Sequence, residues 1–353
     1  MTFTRGKAGR PALIFAAAFA AVAVITFIAN VKSGFVKELS FGFNNGVSQL
    51  STWQNSLAAF CLDRTAYIWD WTNLSREYIS CSVESEQAGL LKSGLVVSVP
   101  RQKPGNVVIA DLATRQISKE IPIYSSAKLA YLKVSPDQNT VAVVLEVAPE
   151  RQKGSKTFEV LTGQADFNYL HNAARLTGNT EDCELINLAV SAAGDFVAVF
   201  GTKDNCGWVV LVDTGQRKIV WEKKLQDFVR CFNAVFTPDR QKIYVRGSDS
   251  TVYEIDTASG QVLARLLPVK DNASTLTVQP VQTVTVSADG GLLAATVGGV
   301  VYVWDTETKE KIFTQAPGHK LVSGIAFSPD GRFLATSDMR QGGVIKIWRM
   351  PEK

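Results

Sequence analysis

The stretch "VYVWDTETKEKIFTQAPGHKLVSGIAFSPDGRFLATSDMRQGGVIKIW", Val301 to Trp348, decides the fold. It holds a β-branched run ending in Trp304-Asp305, then Gly318-His319, then a Ser-Pro-Asp-Gly turn at Ser328, then a second run ending in Trp348. Short β-branched and aromatic runs bounded by Gly, Pro and Asp read as strands joined by tight turns. The pattern recurs towards the N-terminus. "SPDGRFLA" at Ser328 is preceded by "SADGGLLA" at Ser287, "TPDRQKIY" at Thr237, "SAAGDFVA" at Ser191 and "SPDQNTVA" at Ser135, in steps of 41, 50, 46 and 56 residues. A second signal follows each turn, a β-rich run ending in an acid. Asp70, Asp111, Asp213, Asp256 and Asp305 close such runs, spaced 41, 102, 43 and 49. The gap of 102 holds one further unit, with "KTFEVL" (Lys156 to Leu161) in that role. Seven units result. The two earliest have degenerate turns, near Gln54-Asn55-Ser56 and at Lys92-Ser93-Gly94.

A period of 41 to 56 residues marks a repeat architecture, in which no unit buries both faces alone. Each unit resembles a WD40 repeat. The resemblance rests on the Trp-Asp pair, the Gly-His pair and the S-P-D-G turn in that order, with "YIWDW" (Tyr67 to Trp71) as a second good match. It covers roughly residues 36–353 and is densest in the last two units. It implies an all-β, seven-bladed WD40-like β-propeller whose blades are four-stranded antiparallel sheets. It also implies the family's usual role, docking other proteins without catalysis or cofactor. In such blades the Gly-His histidine bonds a strand-b hydroxyl, which bonds a strand-c tryptophan. Here those would be His319, then Thr336 or Ser337, then Trp348, with Asp338 nearby.

The last unit supplies strand a (Leu321 to Phe327), strand b (Phe333 to Ser337) and strand c (Val344 to Arg349), with no strand d after them. An open ring would leave strand edges unpaired. The missing strand is expected in "VKELSFGF", Val36 to Phe43, with Val36, Leu39, Phe41 and Phe43 as its apolar positions. The competing reading of this stretch is a solvated linker. In a propeller, strand d rises from the bottom face, which carries the a–b and c–d loops, to the d–a loop on top. Val36 is therefore expected at the bottom.

Ahead of that strand, residues 1–10 form a basic tail with Arg5, Lys7 and Arg10. An apolar run from Ala12 to Ala29 follows, interrupted by Thr26 alone. Eighteen helical residues span about 27 Å, close to the hydrocarbon thickness of a bilayer. Residues 11–31 are thus expected as a transmembrane signal-anchor helix, the alternative being a cleaved signal peptide. The preceding basic residues favour a cytoplasmic N-terminus and an extracytoplasmic propeller, periplasmic in a bacterium. The bottom face then points to the membrane, and the top face is the favoured partner site.

The chain has 37 basic and 33 acidic residues, net +4. Without the three basic residues of the tail, 34 face 33, so the propeller has no bulk attraction for nucleic acid. The sequence holds no CxxC, H-E-x-x-H, G-x-S-x-G or phosphate-binding G-x-x-x-x-G-K-[ST]. No catalytic, metal or cofactor residue is therefore assigned. The third unit is longest, and its extra length is expected in top-face loops, where binding tends to reside. These are Ala148 to Lys156, with Arg151, Lys153 and Lys156, and His171 to Cys183, with His171 and Arg175. Cys183 and Cys206 are expected on adjacent strands at the top of the fourth unit, where a disulfide would be feasible in an oxidising compartment; Cys231 is a competing partner. The functional reading is a membrane-anchored protein-interaction scaffold. The alternative is an enzyme or small-ligand binder using the central channel. The readable strand-a segments, "KLAYLKV" among them, are mostly apolar, which counts against that alternative. A third reading keeps the propeller in the cytoplasm.

Overall fold

The structure is a computed structural model. It describes residues 34–353 except 41–45, 63–64, 80–87, 101–102, 104, 112–113, 115, 124–126, 148–155, 165–168, 179–182, 228, 267–282, 320, 341–342 and 353. Residues 1–33, and with them the expected anchor, lie outside the described residues. Among those described, no helix is long and apolar enough to cross a membrane.

Seven four-stranded antiparallel sheets form a closed ring. Blade one is β2–β5 (Val47–Trp53, Ser56–Cys61, Ala66–Asp70, Arg76–Ile79). Blade two is β6–β9 (Ala88–Leu90, Leu95–Ser98, Asn106–Asp111, Gln116–Pro122). Blade three is β10–β13 (Ala127–Val134, Thr140–Val147, Lys156–Gln164, His171–Gly178). Blade four is β14–β17 (Cys183–Val190, Phe196–Lys203, Cys206–Asp213, Lys218–Asp227). Blade five is β18–β21 (Cys231–Phe236, Lys242–Gly247, Val252–Asp256, Val262–Leu266). Blade six is β22–β25 (Val284–Val286, Leu292–Val297, Val300–Asp305, Lys311–Gln315). Blade seven joins β26–β28 (Val322–Phe327, Phe333–Asp338, Val344–Arg349) to β1 (Phe35–Ser40).

The repeated turns have a chemical cause. At the a–b hairpins a hydroxyl donates to a nearby aspartate and accepts the amide five residues on. Ser135, Thr237, Ser287 and Ser328 bond Asp137, Asp239, Asp289 and Asp330. They receive the amides of Thr140, Lys242, Leu292 and Phe333. Ser191 follows the same plan with Asp195 and Phe196. The fourth turn residue has a left-handed backbone, which explains Gly331, Gly290 and Gly194 at φ 69°, 76° and 74°. Blades three and five place Gln138 and Arg240 there at φ 64° and 63°, at a cost of about 1 kcal/mol each. The aspartates ending strand c in five of the blades have an equally local task. Asp70, Asp111, Asp213, Asp256 and Asp305 accept amides of the c–d turn, those of Thr72, Thr114, Gln216, Ser259 and Glu307. These bonds hold Asp70 and Asp256 below the usual carboxylate range.

The core lies between blades. Blade seven meets blade one through Leu39, Ala335, Ile345 and Ile347 against Leu57, Ala59, Tyr67 and Trp69. The blade three–four seam packs Phe158 and Val160 against Leu188 and Trp208. The remaining seams repeat this arrangement, so every blade buries both faces against neighbours.

β1 pairs antiparallel with β28: Lys37 opposes Ile347, Glu38 opposes Lys346 and Leu39 opposes Ile345. Two details depart from the sequence expectation. The strand runs Phe35–Ser40, and Phe41 and Phe43 lie outside the described residues. A register shift between Phe35 and Lys37 turns Val36 outwards, where it is 41% exposed. Phe35 takes the inner position, edge-on to Trp348 at 5.5 Å. The shift explains the error in the alternation, because an extra residue resets which side chains face the core.

Candidate functional site

Two constellations of polar groups stand out: a buried chain inside blade seven and the mouth of the central channel. In blade seven, β27 and β28 bring Thr336 beside Trp348. Trp348 Nε1 donates to Thr336 Oγ1 at 3.0 Å, and Thr336 Oγ1 lies 3.0 Å from His319 Nε2. His319 Nδ1 is 3.8 Å from Asp338 Oδ2. Asp338 also accepts the Arg340 amide at 2.7 Å. With the proton on Nδ1, Nε2 accepts from the Thr336 hydroxyl; with the proton on Nε2, the ring donates to the Thr336 carbonyl 3.2 Å away. In either case Nδ1 has no hydrogen-bond partner among the described residues, Asp338 lying beyond reach. Of the two candidate hydroxyls, Thr336 is the linker; Ser337 turns to Ser323, 3.1 Å away. Burial pushes the imidazole down to about 4, against the upward pull of Asp338. His319, Thr336 and Asp338 are buried, so the chain locks strands together and offers nothing to a substrate.

The channel opens at the bottom into a cavity of about 720 Å³ lined by all seven blades. Each of the seven contributes residues from its strand a or the a–b turn below it. Blades five, six and seven supply an apolar side that includes Phe236, Pro238, Val286, Phe327 and Pro329. Blades one to three supply a polar side with Gln49, Gln54, Lys92, Lys133, Asp137 and Gln138. Among the described residues, no group of three His, Cys, Asp or Glu side chains converges as a metal site.

Of the two blade-three segments expected as top loops, Ala148 to Lys156 does fall between β11 and the start of β12, and the second is placed differently. His171 to Gly178 is strand β13, not a connection. His171 starts that strand at its bottom end, edge-on to Tyr169 at 4.6 Å. Arg175 opposes Glu159 across the ladder, 3.5 Å away. The β12–β13 connection takes six residues, 165–170, against eight between β11 and β12, so strand d begins only at His171. Lys156 is the first residue of β12. Arg151 and Lys153 lie outside the described residues.

The disulfide geometry also differs. Cys183 opposes Lys203, and Lys203 opposes Cys206, so one strand separates the two cysteines. Two ladder steps put their Cα atoms roughly 9–10 Å apart, beyond disulfide reach. Cys61, Cys183, Cys206 and Cys231 are all free. Burial pushes the thiols of Cys183 and Cys231 up to about 11 and about 12. A backbone position adjoining Gly207 receives Cys231 Sγ closely, so Gly207 leaves room for it at the blade four–five seam.

Sequence reasoning missed the charged groups inside the blade five–six seam. Glu254 is buried between Lys242 of its own blade, at 2.8 Å, and Lys309 of blade six. Arg246 is fully buried and donates to the carbonyls of Thr296 and Gly247. Both lie at alternating positions of runs that read as apolar strands, so no motif flagged them.

With this geometry in hand, comparison with known proteins adds one match. Residues 309–349 match the family described as WD domain, G-beta repeat. That window runs from the outer strand of blade six through His319 and the S-P-D-G turn to the end of β28. It contains the only blade whose described residues carry the complete His–Thr–Trp chain. No curated protein matches the sequence.

Proposed function

We propose that this chain is a membrane-tethered, non-catalytic docking platform for other proteins. Residues 11–31 form the anchor, the basic tail 1–10 stays in the cytoplasm, and the propeller stands on the extracytoplasmic side with its top face free for partners. One observation carries the orientation. Gly34 receives the Arg349 amide at the bottom end of β28, so the chain enters the propeller at its bottom rim. Only a few residues separate that point from the apolar run ending at Ala29. A second feature is consistent with it. Of the seven large apolar side chains most exposed among the described residues, Val36, Ile117, Tyr169, Ile219, Val220 and Leu263 all sit at or just before the bottom ends of d strands. Leu62 alone lies towards the top. An apolar lower rim suits a surface held close to lipid headgroups.

The docking role rests on the WD-domain match and on the rigid ring, a scaffold whose loops are free to vary. No cofactor or nucleic acid enters this reading. The test is protease digestion of a tag placed after Lys353, in sealed right-side-out membranes with a detergent-opened control. Digestion without detergent is expected. Protection until detergent is added would place the propeller in the cytoplasm and overturn the orientation.

A further inference from the structure

We propose that the bottom mouth of the central channel is a binding site for a small amphipathic anion, a carboxylate or phosphate group on an apolar body, with Lys133 as the cation that receives it. Three observations converge. The cavity, about 720 Å³, falls in the range of small-molecule pockets. It is two-sided: Phe236, Phe327 and the prolines of blades five and seven face a side bearing Lys133 and the side-chain amides of Gln49 and Gln138.

The third observation is the charge balance. Lys133 belongs to β10, opposite Ala142, and is half-buried in the channel wall. It makes no hydrogen bond or ion pair with any described residue, and desolvation lowers its affinity for a proton with no opposing charge to restore it. Lys92 and Asp137 are the other charged lining residues. Lys92 is exposed, and Asp137 is committed to its own turn, accepting from Ser135 and from the amide and side chain of Asn139. Lys92 offsets Asp137 in formal charge, which leaves the cavity one positive charge, that of Lys133. Lysines elsewhere in the ring differ: Lys203, Lys224, Lys242 and Lys309 each meet a carboxylate. An unpaired, half-desolvated ammonium is costly unless an anion joins it.

The site does not depend on which side of a membrane the propeller occupies. Its test uses the full chain in phosphatidylcholine nanodiscs. Phenyl phosphate and hexanoate are the soluble probes, and nanodiscs containing phosphatidylglycerol supply an anionic headgroup. Acylation of Lys133 by an amine-reactive ester is followed by peptide mass mapping, with Lys218, exposed on the outer strand β17, as the internal reference. Either soluble probe is expected to slow labelling of Lys133 about tenfold while leaving Lys218 unchanged. Protection by phosphatidylglycerol alone would identify a lipid headgroup as the anion, and protection by the soluble probes alone a free one. Lys133→Met, which removes the unpaired charge without shortening the chain, should fold at least as stably and lose probe binding. Labelling of Lys133 unaffected by all three anions, or full probe binding by a folded K133M, would overturn the site.

Discussion

Blade seven and blade four solve the same packing problem by different means. Blade four is one continuous stretch, Cys183 to Asp227, with strands of eight to ten residues. Its polar stitching is peripheral: Trp208 Nε1 donates to Glu222 at 2.9 Å, and Lys203 meets the same carboxylate at 2.6 Å. Blade seven has strands of six residues and is assembled from the two ends of the propeller sequence. No covalent link holds β1 to its neighbours, and its stitching runs inside the sheet through Trp348, Thr336, His319 and Asp338. Buried hydrogen bonds, here Trp348 to Thr336 and Thr336 to His319, brace a sheet more than an exposed ion pair does. The blade that closes the ring carries the signature residues, and the continuous blade manages with long ladders and apolar seams.

The comparison breaks most readily at the closing strand. Leu39 is buried in the seam between blades seven and one. Leu39→Asp deletes that contact and buries a charge, so a loss of more than about 3 kcal/mol is expected in urea unfolding. A smaller loss would mean that β1 is dispensable and the ring stands open. Next comes the linker of the polar chain. Thr336→Val keeps the shape of the side chain but strands Trp348 Nε1 in the core and leaves His319 Nε2 only the Thr336 carbonyl, at a cost of about 1–3 kcal/mol. A near-neutral result would show that the chain does not brace the blade.

The pH dependence sharpens the same point. His319 titrates at about 4 when folded, against roughly 6.5 in the unfolded chain. Below pH 6.5 the unfolded state takes up a proton that the native imidazole refuses, so stability falls as the pH drops. The loss levels off below about pH 4 and amounts to no more than about 3 kcal/mol. His319→Gln should flatten stability across that window, and an unchanged slope would assign the effect to other groups. Smallest is the counterpart in blade four. Glu222 is 42% exposed, so Glu222→Gln is expected to cost less than about 1 kcal/mol. A loss equal to that of Thr336→Val would erase the contrast between the two blades.

Much of this was legible in the sequence, for a physical reason. Turns demand particular residues, so Ser328, Asp330 and Gly331 and their equivalents announced the hairpins and hence the seven units. His319 and Trp348 were legible because the buried chain needs those side chains. What escaped notice depends on position rather than residue type. The register shift that exposes Val36 leaves no mark in composition. The placement of His171 and Arg175 on β13 turns on how many residues separate strands c and d of blade three, and strand propensity does not decide that. Cys183 and Cys206 lie near one another in the fold, but only the ladder shows Lys203 between them. Lys133 sits in a segment that reads as mostly apolar, and its meaning emerges only when seven inner strands surround it.

β1 closes the ring, and the proposed orientation of the propeller depends on where that strand begins. Glu38 and Lys346 oppose one another in the ladder. The measurement is oxidation of the full chain carrying Glu38→Cys and Lys346→Cys, with the linked peptides identified by mass mapping. A disulfide between positions 38 and 346, formed rapidly and within one chain, is the predicted result. Two free thiols in a folded protein, or a link formed only between separate chains, would contradict it.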